Sequence, residues 1–434
     1  MAPVPILPTL PWDVIDTIIG YYTGSNLDMR SVSKQMYECI IKHYCSRNTI
    51  TATKDNPELL QHAETLRIMD DSISLSLINP INLWLSNEYK VSESMSHMTR
   101  LRTLSAGSIS YDSLCGIPNL TELDFRYPNE YHNINNLTTL RTLTLRDKFD
   151  ISEIPLHKLN IIECCEVIEV PSTVRELTVI ESDCPEICGQ LDSLSLVIDE
   201  FKTVSVDWIP HTYALTKLVS GFYCNIPSNF LDGCKQLHTL ELVSPQTEDI
   251  QSLLAPIPSF TSLVRLCIYK ADAMLPVDFL HRLTSLTDLQ LCVNADVSIS
   301  CLTSLRRLEM RSSSITDQDL LRNTSLNYLK IDMVELGGGY SYVARITNEG
   351  LKPLVLLEDL ELERNPYVTD EGIQHLMKLK RVCIKNSYIT PHCETLIHEY
   401  RYNLTGDYGL PIHVCEDSDD ECQDSDGQYI HPGW

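Results

Sequence analysis

One phrase returns through the second half of the chain: Phe260-Thr261-Ser262-Leu263, Leu283-Thr284-Ser285-Leu286, Leu302-Thr303-Ser304-Leu305 and Asn323-Thr324-Ser325-Leu326. Each copy opens a frame with aliphatic residues at positions one, four and six. Extended both ways, the frame starts at Leu101, Leu120, Leu140, Leu156, Val174, Leu191, Leu215, Leu237, Leu263, Leu286, Leu305, Leu326, Leu357 and Leu379. The thirteen intervals cover 278 residues, a mean near 21. Apolar alternation at positions four and six marks a short strand buried on one face, and one strand per period cannot hide its leucines alone. Stacking successive turns hides them, so the repeat dictates a solenoid rather than several independent domains. Ala63-x-x-Leu66-x-Ile68 is a candidate further unit, and pattern alone does not resolve the stretch from there to Leu101.

The L-x-x-L-x-L frame resembles the leucine-rich-repeat family over roughly residues 60 to 400. That resemblance implies an α/β fold: a horseshoe solenoid with parallel strands about 4.8 Å apart on its concave face and a wider convex side. The family usually carries Asn at position nine, where the side chain satisfies backbone groups leaving the strand. Here Asn294 and Asn365 hold that place, Ser182, Ser313 and Ser387 are weaker substitutes, and Pro128, Pro245 and Val334 cannot serve. Val368-Thr369-Asp370-Glu371-Gly372-Ile373 resembles the convex-side signature of the cysteine-containing subclass, with Asp370 expected to cap a helix running through Leu376.

Ahead of the repeats, Val14, Ile15, Ile18, Ile19 and Tyr22 make one helical face behind Pro11, and Met36, Tyr37, Ile40, Ile41 and Tyr44 make another behind Ser33. Leu10-Pro11, Val14-Ile15, Ile18, Leu27 and Val32-Ser33-Lys34-x-Met36-Tyr37 together resemble an F-box. The resemblance implies a three-helix segment that docks on the Skp-type adaptor of cullin-based ubiquitin ligases through Leu10, Pro11, Ile15, Ile18, Leu27, Val32, Met36 and Tyr37. A protein target held by the repeats would then undergo ubiquitin-dependent degradation. The alternative is a plain helical cap that shields the first repeat from water, in a cytosolic scaffold or inhibitor with no ubiquitin role. The expected divisions are an F-box-like segment at 7–45, a connector with a first repeat at 46–100, the solenoid at 101–405 and an acidic, disordered tail at 406–434.

Thirty-four Lys and Arg stand against fifty-nine Asp and Glu, a net charge of −25, so the chain lacks the electrostatic footprint for phosphate backbones, and nucleic acid is not an expected partner. The start, Met1-Ala2-Pro3-Val4-Pro5, has no basic region before an apolar helix, and no apolar run reaches the eighteen or so residues that span a bilayer. Neither secretion nor membrane insertion is expected. The sixteen cysteines include no Cys-x-x-Cys, which points to reduced thiols in the cytoplasm or nucleus and to no zinc site. Sequons at Asn119, Asn136, Asn323 and Asn403 occur at about the chance frequency and carry no weight. No catalytic motif or cofactor fingerprint is present, so the expected role is non-catalytic, without cofactor or metal.

On the solvent face of the strands, positions two, three, five and seven become charged toward the C-terminus. Arg306, Arg307, Glu309 and Arg311 are followed by Lys330 and Asp332, then Glu361 and Glu363, then Lys385. The rows can be cross-strand charge ladders that stabilise the sheet or a recognition surface for an unknown protein target. Arg306, Arg307, Arg311, Tyr328, Glu361, Glu363 and Lys385 are the target-binding candidates. Tyr340 and Tyr342 join them from the Gly337-Gly338-Gly339 loop of the long unit, which is either a partner-contacting loop or a tolerated insertion. Cys267, Cys292 and Cys383 are expected on the exposed frame. Between Glu416 and Asp426, seven of eleven residues are acidic, which makes the tail a solubilising segment with a candidate acidophilic kinase site at Ser418.

Overall fold

The computed structural model describes residues 49–52, 63–69, 73–86, 89–91, 94–125, 134–164, 167–183, 185–197, 206–221, 226–243, 250–269, 275, 278–292, 297–311, 315–332, 335–336, 340–341, 345–363, 365, 367–385 and 413–415. The F-box-like segment lies outside them, and with it Leu10, Pro11, Ile15, Ile18, Leu27, Val32, Met36 and Tyr37. Tyr342, Asn294 and the acidic run are outside as well. The chain forms two compact units, residues 1–174 with 185–188 and residues 175–184 with 189–434.

In the first unit the ladder strands are β1 Thr49–Ala52, β2 Thr65–Ile68, β3 Asn82–Leu85, β4 Thr103–Ala106, β5 Glu122–Phe125, β6 Thr142–Leu145 and β7 Lys158–Ile162. Each pairs in parallel with the next, in unbroken register. β2 falls on the candidate unit Ala63-x-x-Leu66-x-Ile68, and β1 and β3 flank it within the stretch 46–100, so regular strands begin well before Leu101. Pattern missed β3 because its unit opens on Pro80 instead of Leu, although Pro80 is buried like the leucines.

The second unit continues the motif with β8 Glu176–Ile180, β9 Ser193–Val197, β10 Lys217–Ser220, β11 Thr239–Val243, β12 Arg265–Tyr269, β13 Asp288–Cys292, β14 Arg307–Arg311, β15 Tyr328–Asp332, β16 Asp359–Glu363, β17 Arg381–Lys385 and β18 His413–Cys415. All neighbouring pairs are parallel. β18 adds three residues to the ladder beyond residue 405, pairing in parallel with β17.

The core follows the frame. Every first-position residue from Leu101 to Leu379 is at most 1% exposed, and the described residues at positions four and six behind them are buried too. Burying one such side chain contributes roughly 1.5–3 kcal/mol, so the stacked rows are the main stabilising term. The backbone repeats with equal regularity. The amides of Arg306 and Arg307 both donate to the Thr287 carbonyl, those of Asn327 and Tyr328 to the Arg306 carbonyl, and those of Glu358 and Asp359 to the Asn327 carbonyl.

On the far side of the unit-two core lie short helices: α1 Asp317–Leu320, α2 Asn348–Leu351 and α3 Asp370–Ile373. Their caps are Thr316, Thr347 and Thr369. Asp370 is therefore the first helical residue and not the cap, and the helix ends at Ile373 rather than running through Leu376. The turns are also bonded to one another. Asp317 accepts from the Thr347 amide and hydroxyl at 2.7 Å each, and Asn348 accepts from the Thr369 amide and donates to its hydroxyl, both at 2.9 Å. Gly350 leaves room for this: a Cβ there would stand 2.3 Å from Asp317 Oδ1.

Asn365 does what position nine requires. It is fully buried, accepts from the Tyr367 and Val368 amides and donates to the Ile346 carbonyl at 3.1 Å.

Candidate functional site

Parallel strands about 4.8 Å apart bring equivalent frame positions together on the solvent face, so any site there is assembled from residues some twenty apart in sequence. In unit two this produces a charged lattice. Arg265 Nη1 donates to Asp288 Oδ2 at 2.7 Å, and Arg265 Nε lies 2.8 Å from Glu241 Oε1. Arg307 Nη2 donates to Glu309 Oε2 at 3.2 Å, while its guanidinium sits 3.6 Å from the centre of the Tyr328 ring. Further along, Lys330 reaches Glu361 at 3.0 Å, and Lys380 and Arg381 meet Glu358 and Asp359 at 2.7 Å each.

The lattice is partly withdrawn from water. Arg265, Asp288 and Arg307 side chains are 34%, 18% and 33% exposed, and Gln290 between them is buried, accepting from the Tyr269 hydroxyl at 3.2 Å. Burial pushes the Asp288 carboxyl above its ordinary value, outweighing Arg265 and Arg307 beside it. For Arg265 burial opposes the charge, yet Asp288 and then Glu241 hold its pKa above the ordinary value. Burial likewise raises Tyr269 and Tyr328. An arginine bonded on one edge and stacked on an aromatic ring is held in place, which fixes its remaining donors for a partner.

Of the residues expected to bind a target, Arg306 is exposed and Arg307, Tyr328 and Glu361 are half-buried members of the lattice. Arg311, Glu363 and Lys385 stand at position seven of β14, β16 and β17. Tyr340 lies apart from the ladder, in an antiparallel pair joining Glu335–Leu336 to Tyr340–Ser341. Sequence reasoning passed over Arg265, Asp288 and Glu241. Their signal was present in the sequence as opposite charges at positions three and five of consecutive units.

One expectation fails here. Cys267 and Cys292 are 2% and 8% exposed rather than open on the face. The Cys267 thiol stands beside Glu241 and Gln290 of the flanking strands and between Arg265 and Tyr269 of its own, and burial raises its pKa, so it is not a ready nucleophile. Asn323, at one of the four sequons, is fully buried and thus inaccessible to glycosylation in the folded chain. Among the described residues no helix is long and apolar enough to cross a membrane.

No protein-family model and no curated protein matches the chain. Among solved structures, an LRR protein of Leptospira interrogans aligns over 85% of this chain and 100% of its own, at 15% identity and a TM-score of 0.50. The fold is that of leucine-rich-repeat proteins. Lower likeness extends to TLR13 in its complex with ssRNA13, at 15% identity over 86% of this chain and 62% of that one with a TM-score of 0.46. Mouse RP105, from its complex with MD-1, aligns at 14% identity over 80% and 71% with a TM-score of 0.46. The chain therefore shares the leucine-rich-repeat architecture of the Leptospira protein, and an identity this low conveys nothing about its ligand.

Proposed function

We propose that the chain is a non-catalytic recognition protein that binds a protein target on the solvent face of the unit-two ladder. The observation that carries this reading is the arginine lattice. Arg307, pinned by Glu309 and stacked on Tyr328, is a pre-set donor of the kind enriched at interface centres.

The finer reading is a substrate-recognition subunit of a Skp-cullin-F-box ubiquitin ligase. Its support is the sequence of residues 10 to 37, where Leu10-Pro11, the Ile15 and Ile18 face, Leu27 and Val32 to Tyr37 keep the spacing of an F-box. Purified Skp-type adaptor should be captured by the full-length chain and not by an Ile15→Asp, Ile18→Asp double variant whose circular dichroism matches the parent. Equal failure of both proteins would leave a scaffold or inhibitor whose N-terminal helices only cap the repeats.

A further inference from the structure

Between β8 and β13 the charges of the unit-two face lie in rows three and five, and row seven carries none. From β8 to β13 position seven holds Ile180, Val197, Gly221, Val243, Tyr269 and Cys292. Register places Ile180 beside Val197, Val243 beside Tyr269 and Tyr269 beside Cys292. Gly221 follows Ser220, which pairs with Leu196 on one side and Leu242 on the other, and so falls between Val197 and Val243. Ile180, Val197, Val243 and Tyr269 are each partly open to solvent. Beyond β13 the same row turns to Arg311, Asp332 and Glu363. The result is an apolar stripe six strands wide, about 24 Å long at the usual strand spacing.

We propose that this stripe seats one helix of a protein partner, apolar along one face and basic along its flanks, laid across the strands. The proposal rests on the solvent face being the binding face and names what it binds. Spacing selects the helix. Same-face side chains of an α-helix recur about every 5.4 Å, close to the strand separation of about 4.8 Å, so each turn seats on about one strand. An extended segment laid the same way repeats at about 6.6 Å and falls out of step by the second strand. A stripe of this length takes about 16 helical residues.

Gly221 is buried against Leu196 and Val197, so the row runs on across β10 with no side chain of its own there. A Cβ at that position would stand 3.1 Å from the Leu196 carbonyl oxygen and from Val197 Cγ2. Charge selects the flanks. At the β8 end the stripe is bordered by Glu176, Glu181 and Asp183, and Glu181 is held at a φ of 48°, in the left-handed region, as the chain turns off the strand. The chain as a whole carries −25, which repels both an acidic helix and a second copy of itself.

The test uses the full-length chain and a fluorescein-labelled peptide of about 18 residues with Leu on one helical face and Lys elsewhere. The controls are a composition-matched peptide with the periodicity permuted and an analogue with Glu for every Lys. Fluorescence anisotropy should show the basic amphipathic peptide binding at least roughly tenfold more tightly than either control. Val243→Arg should remove that preference while circular dichroism and the thermal midpoint stay unchanged. If Val243→Arg does not fold, the β-branched Val243→Thr should fold and weaken binding severalfold. Absence of peptide binding, equal affinity for the permuted peptide, or indifference to both variants would overturn the proposal. So would a dimer in sedimentation velocity that Val243→Arg dissolves, because the stripe would then serve a second copy. None of these outcomes touches adaptor capture, so the ligase reading stands or falls separately.

Discussion

Asn323 occupies a slot that Phe260, Leu283, Leu302 and Leu354 fill in other turns, three residues before the first leucine of the frame. Its Nδ2 donates to the Asp319 carbonyl at 2.6 Å and, at the long distance of 3.5 Å, to the Ile299 carbonyl, while its Oδ1 is buried without a protein partner. An orphaned buried acceptor costs about 1–3 kcal/mol and the amide bond contributes about 0.5–1.5 kcal/mol. Asn323→Leu should therefore raise stability by about 1 kcal/mol in urea unfolding, and a loss would mean that the Asp319 bond dominates. Asp288 yields a pH dependence. Its folded pKa lies above the unfolded value, so its contribution is fullest below about pH 3.8 and is lost as pH rises through the folded value. As pH rises from about 3.8, the urea midpoint of the wild type should fall relative to that of Asp288→Asn. A constant difference would show that the two arginines offset burial.

At the scale of elements, one-turn helices are too short to form alone and depend on their neighbours. The Asp317–Thr347 and Asn348–Thr369 bonds show how, since each turn caps the next. Asn348 already performs with an amide what Asp317 performs with a carboxylate. Asp317→Asn should accordingly stay near wild-type stability, whereas Asp317→Ala should cost about 1–2 kcal/mol, as losing a cap does. Thermal unfolding of the pair would check this, and equal losses would assign the role to charge instead of hydrogen bonding. The strand frame was legible because its leucines repeat at fixed spacing. The helices were less so, because α1 to α3 are specified by a Thr cap followed by Asp or Asn rather than by apolar periodicity. β3 escaped for a related reason: Pro80 fills a leucine place by burial without sharing its chemistry.

For the whole molecule the governing quantity is charge. A net charge of −25 works against the folded state through self-repulsion. Raising monovalent salt from about 10 mM to about 150 mM shortens the screening length from about 30 Å to about 8 Å and should raise the thermal midpoint. The Arg265–Asp288 pair, being partly buried, is screened less than surface repulsion is, so its loss should not reverse the trend. A falling midpoint would put the lattice pairs ahead of the net charge.

The sequence by itself determined the solenoid, the inward rows and the position-nine role of Asn365, because periodic burial and a backbone-satisfying side chain are local properties written into each turn. Tertiary structure alone decided which outward residues form a site. Cys267 looks exposed from its own strand and is buried beside Glu241 and Gln290 of the flanking strands, and the row from Ile180 to Cys292 becomes one stripe only when register aligns six strands. Those contacts join residues some twenty positions apart, and no single turn contains them.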